Sequence, residues 1–219
     1  MRRILGFALC AIGMTVATAA DAQSQRAGQV EFTFGAAYSF SDSFVGTGDS
    51  SLDLSSRTGI RVGVEYFTSS NLSVGFDATW LQPSYSAELI PEDGSEPVSI
   101  SHRASIFTGH FTGSYYFGEG PLTPFVEAGL GWTYFDSNVS DSAPIVGCWW
   151  DPWWGYICSE FYSTYSSSEF SYGAGVGLQW NFGRDRAINA GYRWLEVEAD
   201  SLSKKPTLES AVIEVVFRF

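Results

Sequence analysis

The sequence predicts an all-β chain: a transmembrane antiparallel up-and-down β-barrel of about eight strands. Three observations lead there. Apolar residues recur with period two over runs of about ten residues. The connections between runs alternate between tight and long. Aromatic residues gather near both ends of the runs.

The runs follow one another along the whole chain. Val30, Phe32, Phe34, Ala36, Tyr38 and Phe40 alternate with Glu31, Thr33, Gly35, Ala37 and Ser39. Ile60, Val62, Val64 and Tyr66 oppose Arg61, Gly63 and Glu65, and Leu72, Val74, Phe76, Ala78 and Trp80 oppose Ser73, Gly75, Asp77 and Thr79. Phe107, Phe111, Tyr115 and Phe117 face away from Thr108, His110, Thr112 and Ser114. In the second half Val126, Ala128, Leu130, Trp132 and Tyr134 alternate with Glu127, Gly129, Gly131 and Thr133. The run from Phe170 to Phe182 sets Tyr172, Ala174, Val176, Leu178 and Trp180 against Ser171, Gly173, Gly175, Gly177 and Gln179. Ile188, Ala190, Tyr192 and Trp194 then oppose Asn189, Gly191 and Arg193, and Ala211, Ile213, Val215, Phe217 and Phe219 oppose Ser210, Val212, Glu214 and Arg218. An even number of strands is what a single-chain bacterial barrel requires.

Residues 68–71, 118–123 and 183–186 read as tight turns. Residues 41–57, 83–102, 136–168 and 200–207 read as the external loops of the opposite rim. A soluble ligand-binding barrel would show the same alternation with its faces reversed. The aromatic residues decide against it. Tyr66, Tyr115, Phe117, Trp180, Phe182, Phe217 and Phe219 lie toward the turns, and Tyr38, Phe40, Trp80, Trp132, Tyr134, Tyr172 and Trp194 toward the loops. Two such girdles suit the two water–lipid boundaries of a membrane.

The ends and the composition agree with export. Arg2 and Arg3 precede an apolar stretch and Ala20-Asp21-Ala22, so residues 1–22 read as a signal peptide and 23–219 as the barrel domain. Cleavage removes Arg2, Arg3 and Asp21, taking the formal charge from -12 to -13. A chain this acidic repels nucleic acid. Cys10 follows Leu9, which is too large for a lipoprotein site, and it leaves with the signal. Cys148 and Cys158 then remain in an oxidising compartment and are expected to form a disulfide. They enclose CWWDPWWGYIC, in which Asp151-Pro152 favours a turn and Trp149, Trp150, Trp153, Trp154 and Tyr156 crowd a short loop. These rings have three open options: packing on one another or the rim, resting on lipid, or contacting an external surface ligand.

The polar face carries Arg61, Glu65, Asp77, His110, Glu127, Arg193 and Glu214. Charges confined in a small barrel must pair, so these residues are expected to form an interior network that plugs the lumen. The alternative is a water-filled path bordered by Arg61, Asp77, His110 and Arg193. No catalytic set is legible. His102 and Ser105 stand three apart, hence on opposite faces of a strand, and GAGVG (173–177) lacks the spacing and the following helix of a dinucleotide loop. No cofactor and no metal site are expected, since the acidic residues are scattered over the loops.

PFVEAGLGW (124–132), GAGVGLQWNF (173–182), GYRW (191–194) and VVFRF (215–219) resemble the small outer-membrane β-barrel family. Its members are described as porin-family or opacity-type surface antigens, with OmpA/OmpW-like eight-stranded barrels. The resemblance covers nearly all of the chain after the signal. It implies a Gram-negative outer membrane, lipid and lipopolysaccharide as surroundings, and handling by periplasmic chaperones and the barrel-insertion machinery. It also implies that Val215, Phe217 and Phe219 form a C-terminal insertion signal. The family supplies no shared catalytic residues. The expected role is therefore non-catalytic, in envelope structure and surface contact, as a monomer. A narrow channel for small or apolar solutes is the runner-up, and a lipid-modifying enzyme stands third.

Overall fold

The computed structural model describes residues 26–45, 51–89, 98–140, 145–153, 155–161, 163–198 and 205–219. Residues 1–22, expected to be a signal peptide, lie outside them. The strands in chain order are β1 (Val30–Ser39), β2 (Asp42–Val45), β3 (Ser51–Leu54), β4 (Arg57–Phe67), β5 (Leu72–Leu81), β6 (Ser84–Leu89) and β7 (Val98–Arg103). They continue with β8 (Ser105–Tyr116), β9 (Leu122–Ser140), β10 (Ile145–Asp151), β11 (Gly155–Phe161), β12 (Thr164–Asn181), β13 (Arg186–Val197) and β14 (Thr207–Arg218).

Eight of these strands close into a barrel in the order β1-β14-β13-β12-β9-β8-β5-β4. Every pairing in it is antiparallel, and the seam joins β1 to β14 with Phe32 opposite Phe217. Val30 and Phe219 exchange backbone hydrogen bonds of 3.1 and 3.0 Å, which leaves no open edge at the C-terminus. The outer surface is apolar, and it includes Phe34, Ile60, Val74, Phe111, Leu130, Val176 and Ile213. Aromatic side chains occupy both ends of this belt, with Tyr115 against Phe117 and Tyr38 against Phe40. They also occupy its middle, where Phe76 meets Phe111 at 5.4 Å.

The segments read as bare loops hold further structure. β2, β3, β6 and β7, from two different connections, form one four-stranded sheet ordered β2-β3-β6-β7. The third long connection contains a separate hairpin of β10 and β11. β9 runs on to Ser140 and β12 starts at Thr164, so the wall itself rises into the stretch 136–168. Strands of four to seven residues carry too few alternations to stand out from a polar loop, and the β3–β6 pairing joins two connections through space.

At the same rim Leu54, Leu81, Tyr85, Ala104 and Ile106 form a buried apolar cluster, with Phe135, Val139 and Leu208 packed on it. Leu81 and Ile106 come from the barrel wall, and Leu54 and Tyr85 from the four-stranded sheet. The sheet is thus seated on the mouth of the barrel. Asn138 helps to bend β9 there: its φ is 53°, its side-chain amide donates to the Arg103 carbonyl at 2.6 Å, and its N–H donates to Asp136 Oδ1.

Candidate functional site

The lumen and the β10–β11 hairpin are the two places where chemistry-bearing side chains converge. In the lumen five charges form one layer. Arg61 donates to Glu214 Oε1 at 2.6 Å and pairs with Asp77 at 3.1 Å and Glu127 at 3.6 Å. Arg193 grips Asp77 with two parallel bonds of 3.0 Å and also pairs with Glu127. Asp77 is therefore shared by both guanidiniums, and the two cations face three carboxylates.

The register explains how these side chains reach one another. Gly35 lies between Arg61 on β4 and Glu214 on β14, so that ion pair spans the glycine from either side. Gly175 lies in the same way between Glu127 on β9 and Arg193 on β13. A Cβ at Gly175 would stand 2.7 Å from Glu127 Oε1. Gly175 is a saddle beneath its ion pair, because the missing side chain leaves the space that Glu127 fills; at Gly35 the close neighbour is the β14 backbone, where an added Cβ would clash with the Ile213 carbonyl oxygen.

Two residues of the expected network belong elsewhere. Glu65 makes no ion pair among the described contacts; Ser73 and Tyr116 donate hydroxyl hydrogens to its Oε2 at 2.6 and 3.2 Å. His110 instead joins a chain of hydroxyls: its Nε2 lies 2.9 Å from Ser171 Oγ, Thr133 donates to the same Oγ at 2.9 Å, and Thr108 lies 3.0 Å from Thr133. This bond spans Gly131, which pairs with His110 on one side and Ser171 on the other. The cavity beside it, lined in part by Thr108, His110 and Arg193, is partly open and about 40 Å³. That volume holds about three waters.

Sequence reading missed a second charged layer near the tight turns. Arg26 is buried there, donating to Gln179 Oε1 at 2.9 Å and Thr123 Oγ1 at 3.3 Å while its guanidinium lies 4.8 Å from the Tyr116 ring centre. Arg218 pairs with Glu31 at 2.5 Å across the β1–β14 seam and donates to Gln179 and Asn181. Beside Arg26, whose guanidinium faces the Phe67 and Tyr116 rings, Phe67, Tyr116 and Phe125 pack with ring centres 5.2 and 5.3 Å apart. The inward positions of Glu31 and Arg218 were legible as alternation. Arg26, in a stretch without periodicity, gave no signal.

The hairpin joins Cys148 to Cys158 by a disulfide, with the two residues directly opposed. Trp150 stands opposite Tyr156, so Val146, the disulfide, Trp150 and Tyr156 share one face. Val146, Trp150 and Tyr156 are 63%, 67% and 72% exposed. Trp153 is exposed at the turn, where Gly155 takes φ +78°. Trp154 and the side chain of Trp149 lie outside the described residues. No group of three or more His, Cys, Asp or Glu arranged to hold a metal occurs among the described residues. Val215, Phe217 and Phe219 point outward on the last strand, as Arg218 points in.

An apolar exterior around a charged interior inverts a soluble protein, and a family model for the outer membrane protein beta-barrel domain matches residues 7–219. The chain belongs to that family. It is a protein of the Gram-negative outer membrane, crossing it with strands. No curated protein sequence matches it. Among solved structures, this barrel is similar to the outer membrane protein OprG from Pseudomonas aeruginosa at 11% identity, covering 91% of this chain and 99% of that one, with a TM-score of 0.58. Neisserial surface protein A is similar at 14% identity, covering 87% and 97%, with a TM-score of 0.53. Ail, the attachment invasion locus protein of Yersinia pestis, was solved with the heparin analogue sucrose octasulfate; it is 16% identical, with coverage of 88% and 99% and a TM-score of 0.51. These likenesses establish a shared fold.

Proposed function

We propose that this outer-membrane barrel is non-catalytic, that its long connections face outward, and that it serves envelope structure and surface contact through them. The observation that carries this reading is a filled lumen beneath an exposed, disulfide-pinned aromatic hairpin. Along the barrel axis the interior holds the Leu54–Ile106 cluster, the Arg61–Asp77–Arg193 layer, the Phe67–Tyr116–Phe125 stack and the Arg26 layer. Each would have to open for a solute to pass, so the narrow-channel reading has less support. Trp150 and Tyr156 offer contact area at low entropy cost, because the disulfide and ladder already order their backbone. In this reading Val215, Phe217 and Phe219 serve as the insertion signal, and lipid and lipopolysaccharide surround the apolar belt.

The test is deletion of residues 148–158 from the full-length protein, displayed on cells that otherwise lack it. Adhesion to host or bacterial surfaces should fall to the level of cells without the protein, with the amount of folded barrel unchanged. Undiminished contact would remove the hairpin from the function.

A further inference from the structure

We propose that the Trp150–Tyr156 face of the hairpin docks a cationic polypeptide segment, whose Lys or Arg side chains lie over the two rings. The inference rests on the surface-contact reading and names the partner's chemistry. Three observations carry it. Among the described residues no other strand pairs with β10 or β11, and Val146, Trp150 and Tyr156 on this face are mostly exposed. Its Trp and Tyr are directly opposed across the ladder and mostly exposed, which provides a fixed pair of π-faces. The connection that carries the hairpin has charge of one sign: residues 136–169 contain Asp136, Asp141, Asp151, Glu160 and Glu169 and no Lys or Arg.

That combination discriminates among ligands. A sulfated or phosphorylated polymer would find carboxylates and no Lys or Arg in this connection. A neutral glycan or a zwitterionic membrane would use the rings and gain nothing from the carboxylates. A basic segment uses both, through cation–π contact with the rings and long-range attraction to the acidic rim.

The experiment measures anisotropy of a fluorescein-labelled peptide of alternating Lys and Ser against the full-length folded protein in detergent micelles. A matched Gln–Ser peptide is the control. The Lys–Ser peptide should bind and the Gln–Ser peptide should not. The double variant Trp150→Ala/Tyr156→Ala should weaken binding about tenfold, the combined effect of two exposed cation–π contacts. Both residues lie outside the barrel, and the mobility of the unheated protein on a gel checks folding. Equal binding by the double variant would reduce the effect to general acidity and overturn the proposal. So would equal binding of the Gln–Ser peptide, or displacement of the probe by phosphatidylcholine vesicles or a neutral maltooligosaccharide. The hairpin-deletion assay separates the two claims. Loss of adhesion on deletion, without Lys–Ser binding, would leave the surface-contact reading standing and defeat only this inference.

Discussion

Asp77 concentrates the electrostatics of the lumen at one residue. It is buried and receives both Arg193 and Arg61. Replacing it by Ala would leave two guanidiniums facing only Glu127 and Glu214 in a largely buried site. Removing one partner of a buried pair costs about 3–5 kcal/mol, so Asp77→Ala should lower the unfolding free energy of the liposome-embedded barrel, read from urea denaturation, by that amount. A change within experimental error would mean that Arg61 and Arg193 are not held by this carboxylate. His110 illustrates the limit of residue-level reading. Its partner Ser171 is 61 positions away, and nothing in either local sequence announces the bond.

At the scale of elements, inward glycines alternate with apolar residues in β1, β9 and β12, and the obvious reading is relief of strand coiling. The register gives three of them a sharper role. Gly35, Gly131 and Gly175 each lie between two side chains on the flanking strands that meet across them. Gly175→Val should therefore destabilise the barrel by about 1–3 kcal/mol through overpacking against Glu127. Gly113→Ala is the control, because the nearest atom to its added Cβ, the Ser73 carbonyl oxygen, is 3.9 Å away. Equal urea midpoints for both variants and the wild type would refute the saddle role. The alternation that marks these strands was readable because a membrane wall enforces it over ten or more residues. The four-stranded sheet was not, because strands as short as Asp42–Val45 and Ser51–Leu54 are held by partners from another connection.

For the whole molecule the decisive property is closure. The barrel has no free edge, and its interior is occupied at successive levels from one rim to the other. Purified protein in planar bilayers should show no steady conductance. Arg193→Ala should stay silent as well, since the Phe67–Tyr116–Phe125 stack and Arg26 remain below the altered layer. Steady single-channel conductance in the wild type, altered by Arg193→Ala, would replace the surface-contact reading with a channel lined by the ion-pair residues.

The sequence by itself determined the barrel, its membrane setting and the facing of the wall residues, because a hydrocarbon exterior imposes a period-two pattern that any single strand displays. It also marked Cys148 and Cys158 as the natural pair, since the third cysteine, Cys10, falls in the stretch expected to be a signal peptide. Only the tertiary structure decided which charges meet. Arg26 reaches Thr123 and Gln179, and Arg218 reaches Glu31, over separations of 39 to 187 residues when the bonds of Arg218 to Gln179 are included. Alternation fixes whether a side chain points inward; the height and the neighbour it meets depend on barrel register and closure, which exist only when all eight strands are assembled.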